Sequence, residues 1–184
     1  MPLRVGSGKL KGRKLSTPRG TQRFSSGRTK KALFDFLFPH LDDADVLDLF
    51  AGAGGLGIEA LSRGARFCLF VDADLQAVAA LKKNLSSFFS EDQYEIRKED
   101  FRRALERLFG SGRRFDLVLA DPPYRQDFLD ALAELWSRRP VLHVDGILAL
   151  EHSKKQHFDA PQNLALLECR RYGDTMISYF RPRE

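Results

Sequence analysis

The chain has 184 residues, with 30 Lys or Arg against 25 Asp or Glu, a formal charge of +5. That length buries roughly 70% of the unfolded surface, enough for one sheet covered on both faces and too little for a second full domain. No transmembrane or secretory segment stands out. Cys68 and Cys169, each inside a strand pattern, read as small buried hydrophobes of a reducing compartment without metal-ligand spacing.

The charge is uneven. Residues 1–31 hold ten basic side chains and no acidic one, which leaves the remaining 153 residues at 20 basic against 25 acidic. An arm of this kind neutralises phosphates and makes nucleic-acid binding salt-dependent. Arg4, Lys9, Lys11, Arg13, Lys14, Arg23, Arg28 and Lys30 are its candidate contacts. Leu3, Val5, Leu10 and Leu15 interrupt the charge, and Gly6, Gly8 and Gly12 offer turns, so a small β-hairpin followed by a helix near 28–38 is expected. This arm, residues 1–40, is read as part of the same domain as residues 41–184.

A short apolar strand near 46–50 runs into Ala51-Gly52-Ala53-Gly54-Gly55-Leu56-Gly57 and then a helical pattern over 54–64. Gly52, Gly54 and Gly57 match G-x-G-x-x-G, and Asp72 follows Gly52 by twenty residues at the end of a second strand, 67–72, where a carboxylate can hold ribose hydroxyls. That pattern also fits a dinucleotide. Asp48, placed inside the first strand just before the turn, favours a cationic ligand such as S-adenosylmethionine and would repel a pyrophosphate. Helices near 74–88, 101–109 and 126–138 alternate with strands near 94–98, 115–120 and 143–151. The alternation predicts an α/β, doubly wound, mostly parallel sheet of order 3-2-1-4-5. Strands near 164–171 and 174–180, joined at Tyr172-Gly173-Asp174-Thr175, add an antiparallel C-terminal hairpin at its edge.

The fourth strand, Phe115-Asp116-Leu117-Val118-Leu119-Ala120, is an apolar run of the kind buried on both faces of a parallel sheet. It ends in Asp121-Pro122-Pro123-Tyr124, at the carboxyl end where open α/β sheets bind ligands and, by the strand order, beside the glycine loop. Two prolines remove two backbone donors, so one carboxylate and free carbonyls present an acceptor-only surface suited to an exocyclic NH2. Tyr124 adds a face on which a flipped base can stack. The run Glu151 to His157 contains two histidines, but its spacing fits no metal site and its lysines oppose a cation, so no metal is expected.

Taken together, Gly8 to Leu15, Arg23 to Leu37, Val46 to Gly52, Gly57 to Ala65, Asp121 to Tyr124, Leu150 to Ser153 and Tyr172 to Thr175 resemble the RsmD family, bacterial methyltransferases acting on N2 of one guanine in small-subunit (16S) ribosomal RNA. The resemblance spans nearly the whole chain. It implies a class I, Rossmann-like methyltransferase fold with S-adenosyl-L-methionine as cofactor. It places Asp48, Phe50, Gly52, Gly54, Gly57, Asp72 and Asp100 around that cofactor, with Asp121, Pro122, Pro123 and Tyr124 at the target base. It further implies a cytoplasmic monomer whose partner is small-subunit ribosomal RNA or the assembled subunit. Three positions depart from the family: Arg23-Phe24-Ser25 replaces Arg-Pro-Thr, Lys31 replaces an acid, and Asp72 stands where Glu is common. The first two bear on RNA docking; the third keeps the carboxylate. An amino methyltransferase of DNA adenine or cytosine is the alternative within the same chemistry.

Overall fold

The computed structural model describes residues 2–18, 27–138 and 141–183. Seven strands form one sheet: β1 Asp45–Asp48, β2 Phe67–Asp72, β3 Tyr94–Lys98, β4 Phe115–Ala120, β5 Leu142–Ser153, β6 Leu164–Tyr172 and β7 Thr175–Pro182. The helices are α1 Gly27–Leu37, α2 Gly57–Ser62, α3 Leu75–Ser86, α4 Phe101–Ser111 and α5 Gln126–Arg138. Sheet order is β3-β2-β1-β4-β5-β7-β6.

The expected 3-2-1-4-5 order holds, and its cause is visible in the side chains. From Leu117 on, past an irregularity in its pairing with β5, successive residues of β4 face opposite sides: Leu117 and Leu119 join one core with Leu33, Ile58 and Leu81 of α1, α2 and α3. Phe115, Val118 and Ala120 join the other with Leu105 and Leu132 of α4 and α5. A strand buried on both faces has to be apolar over its buried length, which made it readable; Asp116, only half-buried near its start, accepts Asp45 N–H at 2.8 Å. The C-terminal hairpin completes the sheet at its edge, as expected, and the strand pairing sets its internal order. β7 inserts between β5 and β6 and pairs antiparallel with both, so the edge strand is β6 and it runs in the direction of β5. Cys169 lies on that edge and is exposed, unlike Cys68, because an edge strand has an uncovered face.

The glycine loop is longer and the helix after it shorter than the periodicity predicted. Gly52 and Gly54 have φ of +53° and +89°, which a helix cannot accommodate, so α2 starts only at Gly57. Asp45–Asp48 is likewise shorter than the predicted strand, though Leu49 N–H still donates to Leu119 O at 2.9 Å.

The N-terminal arm forms the expected hairpin pairing, with a bridge between Arg4 and Lys14 and bonds from Val5 N to Arg13 O (3.0 Å) and from Leu15 N to Leu3 O (2.9 Å). It is docked on the body. Leu3, Val5 and Leu15 are buried in the first core, Ser62 Oγ donates to Ser7 O (2.7 Å), and Asn84 exchanges bonds with the backbone of Ser16. Among the described residues no helix is long and apolar enough to cross a membrane.

Candidate active site

β1 and β4 are neighbours whose crossovers leave in opposite directions, so a crevice opens beyond their carboxyl ends. A cavity of about 620 Å³ occupies it, within the range of small-molecule sites. Asp121, Pro122, Pro123 and Tyr124 from the end of β4 share its wall with Phe50, Asp72 and Asp100, which come from three other strand ends.

The wall carries six carboxylates, on Asp72, Asp74, Glu99, Asp100, Asp121 and Glu151, and among the described residues no Lys or Arg. Several of these acids also organise the backbone. Asp72 accepts from Gly52 N–H at 2.6 Å and Asp74 N–H at 2.8 Å, tying the glycine loop to the end of β2. Asp74 caps α3 by accepting from Ala77 N–H at 2.7 Å, and Asp100 caps α4 by accepting from Arg102 N–H at 2.9 Å. The same cavity has an aromatic wall: the rings of Phe50, Phe101 and Phe128 lie 4.9 to 6.0 Å apart by centroid. An acidic rim and an aromatic wall together suit a ligand with an adenosine moiety and positive charge. An anionic pyrophosphate would be repelled by the acidic rim.

The structure moves three expectations. Asp48 is not part of the cavity wall. It is 1% exposed, its Oδ2 accepts from Gly57 N–H at 2.8 Å, and its Oδ1 is buried without a hydrogen bond. Burial pushes its carboxyl up to about 7, with repulsion from Asp72 adding to the rise. Asp48 therefore braces the glycine loop from beneath.

Gly52, Gly54 and Gly57 are not in the wall either. Gly57 is a packing residue: a Cβ there would lie 2.3 Å from Phe70 Cε1 and 2.7 Å from Cys68 Sγ. Lys30, expected among the RNA contacts, is 6% exposed. Its Nζ donates to Arg4 O at 2.6 Å and pairs with fully buried Glu59 at 2.8 Å. Glu59 also accepts from Gly6 N–H (2.7 Å) and Arg63 Nε (2.8 Å); despite its burial, these partners hold its carboxyl below the usual range. Lys30 is thus an internal strut between the arm and α2. Periodicity conceals this because the partner carboxylate lies 29 residues further along the chain, on α2, and reaches the lysine only in the folded protein.

Arg4, Lys9, Lys11, Arg13, Lys14 and Arg28 are not buried, as a phosphate-contacting role requires. Arg23, with its neighbours Phe24 and Ser25, lies outside the described residues.

Sequence reasoning missed several wall residues. Phe101 and Phe128 begin α4 and α5 and resemble ordinary core positions. Glu151 and Thr175 come from β5 and β7, and the phenol of Tyr124 lies 3.2 Å from Glu151 Oε1 and 3.0 Å from Thr175 Oγ1. These contacts fix the tip of Tyr124 and leave its ring as wall. The one available signal was that both residues fall inside segments already singled out, Leu150 to Ser153 and Tyr172 to Thr175.

A family model described as Conserved hypothetical protein 95 matches residues 3–181 of the chain. The Bacillus subtilis protein YlbH is 35% identical over 183 residues, covering 98% of this chain and 100% of its own. Ribosomal RNA small subunit methyltransferase D of Haemophilus influenzae is 31% identical over 179 residues, covering 96% and 91%. Among solved structures, the Escherichia coli protein yhhF superposes with a TM-score of 0.86 at 25% identity, covering 100% of this chain and 99% of that one.

Proposed function

The chain belongs to the Conserved hypothetical protein 95 family, the RsmD family, and has the Rossmann-like fold of class I methyltransferases; from that premise we propose that it transfers a methyl group from S-adenosyl-L-methionine to the exocyclic N2 of a guanine in small-subunit ribosomal RNA. The observation that carries the reading is the one cavity wall shared by Asp121-Pro122-Pro123-Tyr124, Asp72, Asp100 and the phenylalanines, with no Lys or Arg in it among the described residues.

The residues fit the cofactor group by group. Asp72, at the end of β2, would accept from ribose hydroxyls, Phe50 and Phe101 would offer flat faces to an adenine, and the surrounding carboxylates would favour a cation. When bound, S-adenosylmethionine supplies a methyl group activated by a positive sulfur and leaves as a neutral thioether. The protein's task is to prepare the amine. An exocyclic nitrogen shares its lone pair with the ring and is a poor nucleophile. The Asp121 carboxylate and the Pro122 carbonyl accept its two hydrogens, which favours a more pyramidal nitrogen with the lone pair directed away from them. Pro123 is the less suitable acceptor, because its carbonyl already receives Arg125 N–H at 2.6 Å. The ring of Tyr124 supports the base, and the surplus proton leaves through Asp121 to solvent. No covalent enzyme intermediate is required.

The test is methyl transfer from labelled S-adenosylmethionine to small ribosomal subunits, naked ribosomal RNA and duplex DNA in parallel, followed by nucleoside analysis. N2-methylguanosine confined to the ribosomal substrates is the expected result. Methyladenine or methylcytosine in DNA would replace the proposal with the DNA alternative.

A further inference from the structure

A second groove, of about 600 Å³, opens beside the cavity and is lined by Arg28, Thr29, Arg171, Tyr172 and Gly173. Thr29 and Tyr172 belong to both walls, so the two spaces are contiguous across those side chains. Their electrostatics are opposite. The cavity has six carboxylates and no cation among the described residues, while the groove has two guanidinium groups and no carboxylate.

A nucleotide extruded from RNA has the same division of charge, with a neutral base and an anionic backbone. Its base can enter an acid-lined cavity, whereas its phosphates are repelled from that cavity and need a cationic site within one nucleotide of it. We propose that the Arg28–Arg171 groove is a phosphodiester subsite that holds the RNA backbone next to the base delivered to Tyr124; this rests on the reading of the chain as a ribosomal RNA methyltransferase.

The local geometry suits that task. Arg28 is exposed in the first turn of α1, and Arg171 is exposed at the end of β6. Arg171 Nε donates to Gly173 O at 2.9 Å across the β6–β7 turn, where Gly173 adopts φ +66°. That bond uses one of five guanidinium donors and orients the remaining amines, which can bridge phosphate oxygens as a lysine cannot. The acid beside it in the turn, Asp174, pairs with Lys154 at 2.5 Å. Lys154, followed by Arg171 and Lys155, holds the Asp174 carboxyl below its usual range, so this acid is already compensated. The groove thus joins Arg28 of the N-terminal arm to Arg171 of the sheet at the mouth of the site.

The experiment compares wild type with Arg28→Gln, Arg171→Gln, the double variant and Arg171→Lys. Cofactor affinity is measured by calorimetry, RNA affinity at several salt concentrations, and transfer to small subunits by label incorporation. Cofactor affinity should change by less than about twofold. The slope of log affinity against log salt should fall by about 0.7 for each arginine removed, as for single-strand phosphate contacts. Transfer at limiting RNA should fall roughly tenfold or more in the double variant, with the lysine variant in between. Unchanged slope and transfer in the double variant, with active wild type, would overturn the subsite. If wild-type protein methylates no ribosomal RNA, the functional reading fails instead, and the salt slopes still decide whether the groove binds phosphodiester.

Discussion

Replacing Asp48 with asparagine should remove a specific pH dependence from the stability of the unliganded protein. The carboxyl is 1% exposed and its folded value is raised from 3.8 to about 7, mainly by burial. Between those values the folded state holds a proton that the unfolded state has released, so stability is greatest below 3.8 and declines as pH rises through 7. At about 1.4 kcal/mol per pH unit the whole decline is about 4 kcal/mol, an upper figure for a site that relaxes when charged. Asparagine can still accept the Gly57 N–H bond of 2.8 Å and cannot ionise. Urea denaturation of both proteins from pH 5 to pH 9 is the assay. His152, whose value burial lowers, adds stability above 6.5 that is lost on acidification. It is present in both proteins and cancels in their difference. The wild-type stability minus that of the variant should fall by about 2 to 3 kcal/mol across pH 5 to 8, the part of the decline that lies in this window, and then level. A flat difference curve would refute the idea that Asp48 is strained by its own charge.

Asp121→Ala should lower methyl transfer by roughly 10²-fold to 10³-fold or more, the scale of losing one preorganised polar group, while calorimetry finds cofactor affinity nearly intact. Lys30→Met leaves Glu59 buried without one of its cations and should cost about 3 kcal/mol in urea denaturation. The same variant should leave the salt slope of RNA binding unchanged, whereas Arg13→Gln should lower it by about 0.7 to 0.9. Gly57→Ala forces a Cβ to within 2.3 Å of Phe70 and should destabilise by about 3 kcal/mol or more, while Gly110→Ala, with nothing within 4 Å and a helical position, should gain up to about 1 kcal/mol. A shared shift in the two urea midpoints would show that the contact at Gly57 is not what distinguishes them.

The parts of the site legible in the chain were those encoded locally. A doubly buried strand must be apolar, so β4 identified itself and located Asp121-Pro122-Pro123-Tyr124 at its end. A loop with positive φ needs glycine, so Gly52 and Gly54 marked the turn after β1, and the twenty-residue spacing located Asp72. Right-handed crossovers then placed β1 beside β4. Residue type alone could not say which way a charged side chain points. Asp48 and Lys30 were both assigned to ligands, and both are buried in the body, one under a backbone N–H and the other against Glu59.

By itself the sequence determined the class of fold, the converging strand ends and the basic arm, because hydrophobic period, glycine conformation and chain connectivity act over a few residues or through general rules of handedness. Tertiary structure alone decided the insertion of β7 between β5 and β6, and with it the arrival of Glu151 and Thr175 at Tyr124 and of Arg171 beside Arg28. Those meetings depend on pairing between strands far apart in the chain, where the free energy of closing one arrangement over another is spread across the whole core and leaves no local pattern to read.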